Sequence, residues 1–390
     1  MRDILVAIIV FGVLPFVLSK PHLGIYLWSW IGYMNPHRLG WGFAYDFPFA
    51  AVVGAVTIVS ILFSFNKIKV FWSPAIGWLL LFNFWMLLTT IFSLQPDDAW
   101  MQLDKVFKIQ LVVFLTLLII QDRVKIHTLI WIITLSIGFF GVKGGMFTLT
   151  SGGGSHVVGP PGSFIGGNTE IGLALVMILP LLWYLYLNTT RPWVRVGLLI
   201  ALLFVPIGIL GTQSRGALLA IVAIGFFLWM KSRKKLMPFL IILVLTPMLF
   251  LFMPETWHER MGTITDDEVD LSVQGRFDAW EFAYKLASSR FMGGGFDSFN
   301  DINYIIYAPG LVDPVSGRYQ DSHSIYFSVL GHHGFVGLGI FLTLGFVFWR
   351  TASKIMRLTK TSIQNKWAYD FASMSQVSLV GYAVGGAFLG

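Results

Sequence analysis

Polar and apolar residues in this chain are sorted into long blocks, with apolar runs of fifteen residues and more separated by short polar connections. A hydrocarbon core about 30 Å thick is crossed by roughly 17–25 helical residues, fewer where flanking side chains snorkel. Eleven runs meet that requirement, at 4–19, 47–65, 74–93, 107–121, 127–149, 171–188, 195–212, 215–230, 236–253, 324–349 and 372–390. They predict an all-α, polytopic integral membrane protein with about eleven transmembrane helices. The apolar stretch 23–33 is short and closed by Asn35-Pro36, which predicts a re-entrant or interfacial segment. Met1-Arg2-Asp3 is weakly basic and no small-residue cleavage site follows Ser19, so 4–19 reads as a retained span. The pattern divides the chain into nine spans over 1–253, a large external segment over 254–322 and a C-terminal helical part over 323–390. The last run reaches Gly390 with no basic stop behind it, so either the span ends abruptly or the chain is cut short, and the second is the expectation.

Composition sharpens this reading. Only 12% of the residues are charged and 56% are hydrophobic, whereas soluble domains carry roughly 25% charged residues; an ordinary cytosolic enzyme is excluded. Cysteine is absent, which removes disulfides, thiolate metal sites and cysteine nucleophiles. The net charge of +7 does not point to nucleic acid, because in a membrane protein its distribution across the bilayer carries the meaning.

Lysine and arginine fall in every second loop: Lys67 and Lys69, Arg123 and Lys125, Arg191 and Arg195, Lys231 to Lys235, and Arg350 to Lys366. Those five loops hold fifteen basic residues against two acidic ones, so they are predicted to be cytoplasmic. Parity then requires an even number of crossings before Lys67. Arg2 and Asp3 are expected on the same inner face, with 20–46 outside. The opposite face is acidic. It carries a Gly- and Pro-rich loop, 151–170, and the segment 254–322, in which 278–289 patterns as a short amphipathic helix ended by Gly293-Gly294-Gly295.

Candidate chemistry gathers on that outer face. Arg215 lies in Thr212-Gln213-Ser214-Arg215-Gly216 between two spans. Its guanidinium either snorkels to headgroups or grips a phosphate bidentately. Arg276 follows Gly275 at the start of the amphipathic helix, where free N–H groups favour an anion; a salt bridge to Asp278 or Glu281 is the alternative. His323, in Asp321-Ser322-His323-Ser324, is suited to accept a hydroxyl proton, or to cap a helix. His332 and His333, roughly 14–15 Å further along a continuous helix, are either functional or bonded to neighbouring helices. Lys105 and Lys108 add a possible positive rim, although Asp104 offers them a local partner. The acidic run 266–270 has no histidine at ligand spacing, so no metal site is predicted. Lys143-Gly144-Gly145 reads as a possible helix break near the outer end of its span.

In order and topology these residues resemble the O-antigen ligase and polymerase superfamily. His323-Ser324, nine residues, then Gly334-Phe335-Val336-Gly337 is similar to its His-[Asn/Ser/Gln]-nine-Gly-two-Gly signature. Arg215 with Leu219 is similar to its Arg-three-Leu element, and Gly275-Arg276 with Trp280, Ala283 and Gly293 to Phe296 is similar to its periplasmic-loop pattern. The opening, Tyr33 to Leu39 and Trp41 to Ala50, resembles the O-glycosylation ligases associated with the exosortase A system.

The resemblance implies a multi-pass protein of the bacterial inner membrane with its site facing the periplasm. It implies a glycan donor linked through diphosphate to undecaprenol, and an acceptor hydroxyl on lipid A-core, another glycan or a protein side chain. Arg215 and Arg276 are assigned to the diphosphate and His323 to the acceptor proton, with inversion by a single displacement. Arginines in place of a metal imply a metal-independent reaction with no cofactor. The alternative is a polytopic transporter or flippase of lipid-linked glycan, whose usual marks are deep charges, broken helices and repeats.

Overall fold

The computed structural model describes residues 2–64, 70–231, 254, 255, 257, 271–311 and 319–389. Every regular element among them is helical: α1 (Arg2–Ser19), α2 (Pro21–Met34), α3 (Phe49–Ser64), α4 (Pro74–Ile91), α5 (Pro96–Ile119), α6 (Arg123–Thr150), α7 (Asn168–Asn188), α8 (Pro192–Gly211), α9 (Arg215–Lys231), α10 (Leu271–Ser289), α11 (Asp301–Tyr307), α12 (Ile325–Thr359) and α13 (Lys366–Gly385), with single 3-10 turns at Pro36–Leu39, Pro309–Leu311 and Gly386–Phe388. Six of them, α1, α4, α6, α7, α8 and α12, are long and apolar enough to cross a membrane. The predicted span 236–253 and the acidic run 266–270 lie outside the described residues.

Local signals set several helix starts. Ser73 accepts from the Ile76 N–H ahead of Pro74 in α4, and Asp122 accepts from the Lys125 N–H at 2.9 Å to open α6. Each cap satisfies a donor that the first helical turn leaves free. Asp122 also pairs with the Lys125 ammonium at 2.8 Å, and these bonds from Lys125 hold its carboxyl below the usual carboxylate range.

The chain forms two compact units, the first of residues 1–71 and 110–254, the second of 72–109 and 255–390. In the first, α1 and α2 form a hairpin. Arg2 donates to the Leu39 carbonyl at 3.1 Å, the Gly42 N–H donates to Asp3 at 3.2 Å, and Val6, Val10, Leu27, Ile31 and Phe49 close an apolar core between α1, α2 and α3. At the far end Ser60 donates to the Val17 carbonyl at 2.6 Å, and Tyr26 donates to the Lys125 carbonyl at 3.1 Å. Arg2 therefore lies on the side of residues 35–48, and Lys20 lies with the start of α6. The expectation that Arg2 shares a face with the basic loops is corrected. Helix α2 advances only about 21 Å, below the length an apolar run needs to register as a crossing, yet it returns the chain to the side where it began.

The predicted break at Lys143-Gly144-Gly145 is not present, because α6 is continuous from Arg123 to Thr150. The glycines permit close approach instead: a Cβ on Gly145 would collide with the Phe204 carbonyl of α8, and one on Gly208 would lie 2.6 Å from the Gly141 carbonyl oxygen. Small residues at such crossings let backbones pack in contact where lipid supplies no hydrophobic drive.

In the second unit α10 packs on α12. Phe282 stacks on Tyr304 of α11 with centroids 3.9 Å apart and rings 7° from parallel, inside a core with Ala279, Ala283, Leu286 and Phe299. The amphipathic face read over 278–289 is this buried face.

Candidate functional site

Helix α12 is broken at Gly334, whose φ of 68° and ψ of −174° suit glycine alone. A break strands the carbonyls of the preceding turn, and buried carbonyls need donors. Here the Gly294 N–H donates to Gly331 and the Gly295 N–H to His332, both at 2.8 Å, while the Trp85 indole of α4 donates to His333 at 2.8 Å. Gly293-Gly294-Gly295 is thus more than a helix stop; its backbone completes the interrupted hydrogen-bond ladder of α12. A Cβ on Gly337 would collide with the His333 Cβ and crowd the Trp85 indole nitrogen at 3.2 Å, which accounts for the second glycine of the motif.

His333 is buried, and its Nδ1 shares a 2.7 Å hydrogen bond with Thr89 Oγ1 of α4. It follows the structural of its two readings. His332 is half-buried and packs edge-on to Phe299 at 5.4 Å.

His323 immediately precedes Ser324, the N-cap of α12, and takes a left-handed φ of 42°. Non-glycine residues enter that region only where their surroundings hold them there. Its neighbours Ser322 and Ser324 are buried while the histidine is half-exposed. Ser322 is bonded through its N–H to Asp321 at 2.7 Å, through Oγ to Ser328 at 2.5 Å, and through its carbonyl to the Trp280 indole at 2.8 Å. Trp280 also stacks on Phe327, centroids 4.7 Å apart. Tyr304 donates to the Gln320 carbonyl at 2.7 Å. Burial first, then the Asp321 and Asp278 carboxylates, push the Tyr304 hydroxyl above the usual phenol range, so it stays protonated as a donor.

Arg276 is half-buried in α10. Gly275, beside it, lies against the Gln320 side chain, and Trp280, four residues on and so on the same helix face, holds the Ser322 carbonyl. Arg276 and His323 are thereby brought to one flank of the second unit. Lys105 and Lys108 are exposed on α5, and Lys108 pairs with Asp104, the local partner expected. Among the described residues no group of three or more histidine, aspartate or glutamate side chains could hold a metal ion.

Arg215 belongs to the first unit, as the first residue of α9, half-buried. The turn before it is buried and tied to the Gly-rich loop. Gln213, at φ 53°, donates to the Gly153 carbonyl at 2.9 Å, Asn168 donates to the Thr212 carbonyl at 2.9 Å, and the Val157 N–H donates to Gly211 at 2.8 Å. Arg38 lies against Gly162 of the same loop, so residues 35–48, 151–167 and 211–215 occupy one side of this unit.

The supports around His323, namely Tyr304 and Trp280, and those around the α12 break, Trp85 and Thr89, are read from the structure. Apart from Trp280, which belongs to the motif, they join positions far apart in the chain and carry no sequence signal of their own.

Among the described residues the chain is all-helical, and several helices are long and apolar enough to span a bilayer, which marks a multi-pass membrane protein. Residues 198–342 match the family described as O-Antigen ligase, and residues 1–191 match a family of unknown function, DUF5935. The match over residues 198–342 supports a likeness to the O-antigen ligase and polymerase superfamily, and with it a glycosyl-transferring function of ligase or polymerase type. No curated protein is found to be similar to it.

Proposed function

We propose that this protein is an O-glycosylation ligase of the bacterial inner membrane, transferring a glycan from undecaprenyl diphosphate to an acceptor hydroxyl on the periplasmic side. The observation that carries the reading is the O-antigen ligase match over 198–342, which contains Arg215, Arg276 and His323. The acceptor oxygen attacks the anomeric carbon and the bond from that carbon to the diphosphate oxygen breaks. His323 takes the hydroxyl proton, and the departing electron pair stays on the diphosphate. Arg215 and Arg276 stabilise that growing charge, so the reaction proceeds without a metal. A single displacement inverts the anomeric centre. Acceptors of this chemistry are lipid A-core, a second glycan, or a protein Ser, Thr or Tyr. The similarity of residues 33–50 to the ligases of the exosortase A system favours the O-glycosylation branch.

The support from local structure is the way α10 holds the segment ahead of His323. Trp280 and Tyr304 bind the carbonyls of Ser322 and Gln320, and the histidine that follows is half-exposed. Pre-set geometry of this kind lowers the cost of orienting a general base.

The test is release of undecaprenyl diphosphate from a defined lipid-linked oligosaccharide, in membranes carrying the intact protein or His323→Ala, with EDTA present. Release by the first and not the second, at equal insertion, is the expected result. Both behaving as empty membranes while lipid-linked glycan changes leaflet would replace transfer with transport.

A further inference from the structure

A groove of about 530 Å³ runs along α2 in the first unit, walled by α1, α2 and α6. Val13, Leu27, Leu135 and Phe139 represent its lining, which is apolar apart from Tyr26, Trp30 and Ser136. Its α2 wall runs from Leu23 to Met34, roughly 16 Å at 1.5 Å per residue. That is the depth of one leaflet of a hydrocarbon core about 30 Å thick.

The two ends differ in charge. At the Leu23 end, Tyr26 donates to the Lys125 carbonyl, the His22 ring meets Tyr26 edge-on at 5.6 Å, and Lys125 and Lys20 both lie within electrostatic reach of His22. Lys125 is matched by Asp122 at 2.8 Å, whereas Lys20 is exposed. At the Met34 end, Arg38 is directed to Asp46 at 3.9 Å and over the Tyr45 ring. Among the described residues, the end with cationic charge to spare is therefore the Lys20 end, on the opposite side of this unit from Arg215.

We propose that the groove holds one acyl chain of an anionic phospholipid, its phosphate beside Lys20 and His22. The apolar walls and one-leaflet depth fit a fatty acyl chain, and the surplus lysine fits a negative headgroup. Because Arg215 lies at the other side, this lipid is distinct from any donor that Arg215 binds. The inference does not depend on the proposed reaction.

The experiment is native mass spectrometry of the full-length protein in detergent, offered phosphatidylglycerol and phosphatidylcholine with the same chains. The intact protein is expected to retain one phosphatidylglycerol in preference to phosphatidylcholine. Lys20→Gln, at an exposed position, lowers that preference about five-fold. Leu135→Trp, at the exposed rim, fills the groove and loses the lipid; Ser136→Phe repeats the block from within the wall, and both are scored on monodisperse protein. Equal retention of the two phospholipids would overturn the proposal. So would phosphatidylglycerol retained unchanged by Leu135→Trp, or a longer polyprenyl lipid displacing it competitively.

Discussion

The indole of Trp280 donates a 2.8 Å hydrogen bond to the carbonyl of Ser322, the residue immediately before His323. One side chain of α10 thus fixes the peptide from which the candidate base projects, and its ring is stacked on Phe327 of α12. Trp280→Phe keeps the aromatic stack and deletes the donor. Losing one such bond costs about 0.5–1.5 kcal/mol. Undecaprenyl diphosphate release is expected to fall roughly three- to ten-fold at unchanged protein level, with the fall in kcat and little change in KM.

Arg276→Lys keeps the charge and loses the planar fork that fits a diphosphate, whereas Arg276→Gln loses both. Release rates in the same membranes are expected to rank intact, then Lys, then Gln. A Gln variant as fast as the intact protein would remove Arg276 from the reaction.

Gly334 allows no side chain, because its φ is positive and a Cβ would lie 2.5 Å from the Phe291 carbonyl oxygen. Gly334→Ala is expected to destabilise the protein by at least about 2 kcal/mol. Thermal melts in detergent, followed by size-exclusion recovery, read this out. Ala at Gly339, where nothing stands within 4 Å of a Cβ, is the control that leaves the melt unchanged.

Thr89→Val removes the partner of the buried His333 Nδ1 while nearly keeping shape, and Thr89→Ser restores the hydroxyl. Leaving a buried polar group unsatisfied costs about 1–3 kcal/mol. The Val variant is expected to melt earlier and the Ser variant close to the intact protein.

Gln213→Ala cuts the bond to Gly153 and leaves alanine at a φ of 53°. Faster backbone hydrogen exchange over 151–158 is expected, with the α6 and α8 helices still protected. Gln213→Gly, which relieves the φ strain but also lacks the amide, separates the two effects.

Much of the helical layout was legible because long apolar runs have few other structural outcomes. Helices coincide with ten of the eleven runs, and the eleventh lies outside the described residues. The direction of α2 was not legible. Its length lies below the crossing threshold, and what returns it to the side of Arg2 is packing against α1 and α3 and the bonds at Leu39 and Gly42. Glycine posed a similar ambiguity: Gly144-Gly145 reads as a break and serves close packing, while Gly334 makes the true break in α12. The difference lies in what faces each glycine, which spacing does not encode. For the candidate site, the motif order singled out Arg215, Arg276 and His323. The scaffold around His323, and the exchange of α12 carbonyls onto Gly294, Gly295 and Trp85, are tertiary arrangements without a local signature.

The hairpin of α1 and α2 has a practical corollary. Since Arg2 shares a side with residues 35–48, and Arg38 meets the loop that also braces the turn before Arg215, anything fused ahead of Arg2 samples the same compartment as that turn. A single reporter at that position, bright on one side of a membrane and dark on the other, would read the sidedness of the whole first unit.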